Sequence, residues 1–205
     1  MVYDRNVRQG ETNPSVPEDL DMKLKCAAHH ESGHIVIAAA QELRLRPEGL
    51  MVDLFGDGLA CYCRQPDESD VSRERVIVAT WAGFRAEKRF REDRSYPARS
   101  ELDVIRSPDR REALKLLKEL AGDYFTNERN LDNRLEYLIE RHWLPITALA
   151  IALLAKDPEP LKPLKSGATW SQETCTGTTA RYVVGEEVVR ILRRYGIAAV
   201  CDLNC

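Results

Sequence analysis

The sequence predicts a mainly helical domain carrying one small β element. Three observations point there. Residues 22–43 are rich in alanine, and Leu24, Ala27, Ala28, Ile35 and Ala38 recur at helical spacing. Helical patterns resume over 73–91, 102–106, 110–121, 127–141, 145–156 and 185–195. Between the first two helices lie two strand-like runs, 50–55 and 59–64, split by Gly56-Asp57-Gly58, residue types that suit a turn.

Taken in order, residues 1–20 are polar, hold Pro14 and Pro17, and read as a leader. Residues 21–196 form one domain. Pro47 and Gly49 are read as the stop of the first helix. The two strand-like runs form a hairpin or a pair of edge strands. Ser72 is placed as the cap of the helix over 73–91, in which Val76, Ile77, Ala79, Thr80 and Phe84 are apolar-face positions. The mixed charges over 85–94 read as a solvated helix face. Pro97 breaks the pattern, and Pro145 suits the first turn of a later helix. Residues 157–180 hold proline, glycine and many Ser/Thr and read as a loop or insertion. Residues 197–205 form a cysteine-containing tail.

The chain has 205 residues, enough for one well-buried domain. Hydrophobic residues make up 43% and charged residues 31%, a globular balance. Net charge is 30 − 33 = −3, which gives no case for nucleic acid or an anionic membrane as partner. No apolar run approaches the roughly 20 residues that span a bilayer. The N-terminus lacks an apolar signal core, so a cytoplasmic location is expected. None of the six cysteines sits in a CxxC pair, and they read as reduced thiols. The three tryptophans, Trp81, Trp143 and Trp170, read as packing residues.

His30-Glu31-Ser32-Gly33-His34 carries the chemistry. Two histidines four apart on a helix stack on one face, so two ring nitrogens reach one ion. Glu31 is rotated by roughly 100° from His30 and can act on a water at the metal without becoming a ligand. This is the H-E-x-x-H pattern of zinc peptidases, with the glutamate as general base. A catalytic zinc takes three protein ligands, so a third must come from elsewhere. Gly33 in mid-helix costs about 1 kcal/mol against alanine, which implies a packing reason such as close approach of another helix. His29 reads as a polar-face residue and His142 as structural. The run from Leu59 through Ala60 and Cys61 can pair with an extended peptide through its backbone.

The segment Ala28-His29-His30-Glu31-Ser32-Gly33-His34 resembles the HEAGH motif of the FtsH-type membrane proteases, in their zinc peptidase domain. Further segments agree in order: Gly58-Leu59-Ala60, Ala82-Gly83-Phe84-Arg85-Ala86-Glu87, Ser100-Glu101-Leu102-Asp103-Val104 and, more weakly, Gly185-Glu186-Glu187-Val188. The resemblance covers residues 22–196 and implies a helical, zincin-like peptidase domain. It also implies Zn2+ held by His30, His34 and Asp103, with Glu101 as the alternative third ligand. Glu87, Asp93 and Asp109 are the other acidic candidates. No GxxxxGK[ST] phosphate loop is present, so any ATP dependence requires a separate ATPase partner.

The implied activity is zinc-dependent endoproteolysis of unfolded or flexible polypeptide segments, with Glu31 as base. Two alternatives are a catalytically silent, zinc-bearing interaction module and a regulatory zincin of the repressor-cleaving type. The base Glu31 speaks against the first, and the Ala-Gly-x-Arg-Ala-Glu segment against the second. Oligomeric state is left open by the sequence.

Overall fold

The computed structural model describes residues 19–63, 69–162 and 178–202. Residues 1–18 of the expected leader, Trp170 and the middle of the expected insertion lie outside these. Helix α1 spans Leu20–Ala40, and the Asp19 side chain caps it by accepting from the Asp21 N–H. Every residue from Cys26 to Ala39 is buried, as befits a core helix rather than an amphipathic one. The polar face expected to carry His29 is therefore absent. The His29 ring stacks on Phe90 with centroids 3.9 Å apart, and its Nδ1–H donates to the Lys25 carbonyl at 2.7 Å.

α1 ends before Pro47 and Gly49, with Glu42 turning the chain at φ 63°. Strand β1, Leu45–Asp53, then runs through both residues, which corrects their reading as a helix stop. Its ladder with β2, Gly58–Tyr62, is irregular between Leu45 and Leu50. Pro47 has no N–H to donate there. Gly49 adopts φ +71°, and a Cβ on it would lie 2.0 Å from the Val183 carbonyl oxygen. The turn into β2 is held by Asp53, whose carboxylate accepts from the N–H groups of Phe55 and Asp57.

On its other side β1 pairs with β4, Thr179–Val183, which pairs with β3, Glu159–Pro160. The sheet is antiparallel in the order β2-β1-β4-β3. The expected hairpin is thus half of a four-stranded sheet, and the segment 157–180 enters and leaves through strands. The described part of the expected tail is docked: Leu45 N–H donates to the Val200 carbonyl, and Asp202 N–H to the Leu45 carbonyl, both at 2.8 Å.

Helix α2 spans Asp70–Asp93, and Ser69, not Ser72, caps it. Helices α3, Glu101–Arg106, α4, Pro108–Leu117, α5, Tyr124–Arg141, α6, Trp143–Leu154, and α7, Gly185–Arg193, complete a mainly helical fold. α1 packs most extensively on α2. At the crossing, a Cβ on Gly33 would fall 2.6 Å from the Ala86 Cβ and 2.8 Å from the Ala82 carbonyl oxygen. This close approach is the packing reason for a glycine in mid-helix. Cys63 is disulfide-bonded, which corrects the reading of six reduced thiols; Cys26, Cys61 and Cys201 carry thiols. Among the described residues, no single helix is long and apolar enough to cross a membrane.

Candidate metal centre

His30 and His34 project from one side of α1, as their spacing demands, with ring centroids 4.8 Å apart. Each ring is oriented through its Nδ1. His30 Nδ1–H donates to Glu87 Oε2 at 3.1 Å, and His34 Nδ1–H donates to the Ala79 carbonyl at 2.8 Å. A carboxylate or carbonyl can only accept, so Nδ1 carries a proton in both rings, and the Nε2 atoms, which face Asp109, are the ones a metal would take. Those two nitrogens converge on one carboxylate oxygen: Asp109 Oδ2 lies 3.3 Å from each.

The third member of the cluster is therefore Asp109, where the resemblance had implied Asp103. The reason lies in two short helix starts. Asp103 is exposed, and its carboxylate accepts from the Ser100 hydroxyl at 2.6 Å, while the Ser100 Oγ accepts from the Asp103 N–H. Its charge is held at the cap of α3. Glu101, the alternative, opens α3, and its side chain lies outside the described residues. Asp109 sits in the first turn of α4, after the Ser107 cap and Pro108. The Ser-Pro step was the available signal, since proline favours the first helical position.

α2 supplies the outer support. Glu87 is 3% and Arg91 5% exposed. The expected solvated face over 85–94 thus holds a buried ion pair, with Arg91 Nε 2.8 Å and Arg99 Nε 3.3 Å from Glu87 Oε1. A sequence cannot distinguish such an i, i+4 pair from a surface one. α2 also supplies space: a Cβ on Gly83 would lie 2.3 Å from His34 Nε2 and 2.6 Å from His30 Nε2. Only glycine keeps clear the volume beside both donor nitrogens.

The electrostatics favour a cation. Burial alone would push the His30 ring down, but Asp109 and Glu87 outweigh it and raise its pKa to about 10. Glu87 is held at about 2, because His30, Arg99 and Arg91 overcome the cost of burying it. Asp109 is held well below the usual carboxylate range by His34 and His30, again against burial. A site that grips a proton this way, with two neutral ring nitrogens and an oxygen, also fits zinc.

Glu31 is buried, and its carboxylate faces the start of β2, where a Cβ on Gly58 would meet Oε1 at 2.7 Å. The cluster opens into a cleft of about 300 Å³ lined also by Glu31, Gly58, Leu59, Ala60 and Phe84. β2 is the edge strand on this side among the described residues. Of the three residues expected to meet a peptide, Leu59 and Ala60 line the cleft; Cys61 is buried outside it. His142 caps the junction of α5 and α6, away from the cluster. No family model matches the sequence, and no curated protein matches it.

Proposed function

We propose that the chain is a zinc-dependent metalloendopeptidase acting on flexible polypeptide segments, as the resemblance to the FtsH-type peptidase domain implies. The observation that carries this reading is the convergence of His30 Nε2, His34 Nε2 and Asp109 Oδ2, with the Glu31 carboxylate beside an edge strand in the same cleft. His30, His34 and Asp109 hold the ion. Zinc bound there supplies a Lewis acid and lowers the pKa of water towards about 7.

The protein's own groups do the rest. Glu31 accepts the proton of the attacking water and returns it to the leaving amine. Its burial in a narrow cleft keeps bulk water from competing for that proton. The backbone of β2 at Gly58–Ala60 offers a template along which an extended peptide lies. Glu87 and the Ala79 carbonyl keep both rings in the metal-binding tautomer. Folded substrates resist, because opening a stable domain costs on the order of 5–15 kcal/mol. A separate ATPase is the partner that would lift that limit.

The test is Glu31→Gln in zinc-loaded protein, read by peptide cleavage and by metal content. Cleavage is expected to vanish while one zinc per chain remains. Cleavage that persists would remove Glu31 as the base; metal lost with it would make Glu31 a ligand. A protein that takes up zinc yet cleaves no peptide would favour the silent interaction module.

A further inference from the structure

At the end of α2 the backbone folds back on Arg91. Tyr96 N–H donates to the Arg91 carbonyl at 2.8 Å, and Ser95 stands at φ 52° to permit it. Glycine is the usual residue at such a left-handed helix end, because a Cβ is crowded there. A serine in that conformation persists only where its surroundings hold it. Arg91 supplies the hold. Its guanidinium lies over the Tyr96 ring, 5.6 Å from the centroid, and its Nη1–H donates to the Pro97 carbonyl at 3.0 Å.

The same guanidinium faces the metal centre. Arg91 Nε–H donates to Glu87 Oε1 at 2.8 Å, and Glu87 Oε2 accepts from His30 Nδ1 at 3.1 Å. Pro97, Arg91, Glu87 and His30 thus form one hydrogen-bonded relay. Arg91, Glu87 and His30 are all buried, so bulk water does not compete for their bonds. Two residues beyond Pro97, Arg99 returns to the same Glu87 oxygen at 3.3 Å. Ser100 then caps α3, and α4 follows with Asp109. The path closes on itself, because Asp109 Oδ2 lies 3.3 Å from His30 Nε2. The segment that leads from α2 towards Asp109 is gripped by the carboxylate that orients His30.

We infer that Arg91 is a positioning residue that couples the segment 94–99 to the metal centre. Holding a metal orders this segment, and holding the segment places Asp109 for the metal. The inference rests on the metal-binding half of the reading above and not on proteolysis. Such coupling is reciprocal, so each end reports on the other. Lysine cannot take over the role, because an ammonium on a flexible stem lacks the planar fork that serves Glu87 and Pro97 at once.

Two measurements on the full chain test this: zinc affinity by chelator competition, and hydrogen exchange at the Tyr96 amide with and without zinc. In wild type, zinc is expected to slow that exchange about tenfold, within the usual range of coupling between sites. Arg91→Lys should lose the zinc protection and about tenfold in zinc affinity, the scale of an outer partner of a ligand. Glu87→Gln interrupts the relay one step nearer the metal and should also remove the protection. In the double variant the two affinity losses should not multiply. Protection that survives Arg91→Lys, or losses that multiply, would overturn the relay. So would unchanged zinc affinity in a variant of lowered thermal stability, the mark of a purely structural role. Should Arg91→Lys fail to fold, Glu87→Gln decides alone, and protection retained there overturns the relay. A wild type that takes up zinc with no change at Tyr96 sinks the inference and leaves the metal site standing. A wild type that takes up no zinc sinks both. Zinc protection without peptide cleavage sinks the peptidase reading only.

Discussion

Two helices begin seven residues apart, each with a serine at its cap and an aspartate in its first turn, and the two aspartates do different things. At the start of α3, Asp103 is the third helical residue. It bonds back to Ser100 twice: its N–H donates to the Ser100 Oγ, and its carboxylate accepts from that hydroxyl. At the start of α4, Ser107 caps the Arg110 N–H, Pro108 takes the first position, and Asp109 comes second. An acid at the second position does not reach back to the cap, so its carboxylate is available to His30 and His34. One residue of register separates an acid that stabilises a helix from an acid that completes a cluster able to hold a metal ion.

The strongest way to break this comparison is to remove each aspartate in turn. Asp109→Ala should weaken zinc binding by more than the roughly 10–100-fold that a lost outer partner costs, and peptide cleavage should vanish with it. Asp103→Ala should leave zinc affinity in place and lower thermal stability by about 1 kcal/mol, the scale of a cap. Chelator competition and thermal unfolding distinguish the two. The opposite pattern would return the ligand role to Asp103.

A pH series sharpens the same point. The His30 pKa stands at about 10 because two carboxylates favour its charged form. Below that value a metal must displace one proton, so zinc affinity should rise about tenfold per pH unit between pH 7 and 9 from this ring alone. Asp109→Asn should flatten the slope in the upper part of that window, since a main support of the raised pKa is gone. A wild-type affinity indifferent to pH there would mean His30 is not held charged.

The two caps themselves give a smaller contrast. Ser100→Ala and Ser107→Ala should each cost about 1 kcal/mol of stability. Only Ser107→Ala should also lower zinc affinity, because that cap fixes the turn from which Asp109 points. Equal zinc affinity in both variants would show that Pro108 and packing suffice to place it.

The smallest effect belongs to a third serine. Ser32 lies within the motif, fully buried, and its Oγ has no hydrogen-bond partner among the described residues. A buried hydroxyl without a partner costs about 1–3 kcal/mol. Ser32→Ala should therefore raise stability by about 1 kcal/mol and leave zinc affinity unchanged. A loss of stability would show that the hydroxyl has a partner after all.

The features of this chain that its sequence settles are those in which a few consecutive residues decide the outcome. The i, i+4 histidines share a helix face because the period is covalent geometry, and the cost of Gly33 in mid-helix already implied a close neighbour. Glu31 follows from the same period. What needed the folded chain was every choice among distant partners. β1 runs through Pro47 and Gly49 because β2 and β4 flank it and a bulge accommodates both residues. Residues 179–183 become a strand because β1 is waiting, and His29 is buried because Phe90 of α2 stacks on it. Among 33 acids, Asp109 rather than Asp103 meets the histidines because the caps of α3 and α4 aim the two carboxylates differently. Local periodicity is written in the order of residues; which acid joins the two histidines depends on where two short helices begin in space.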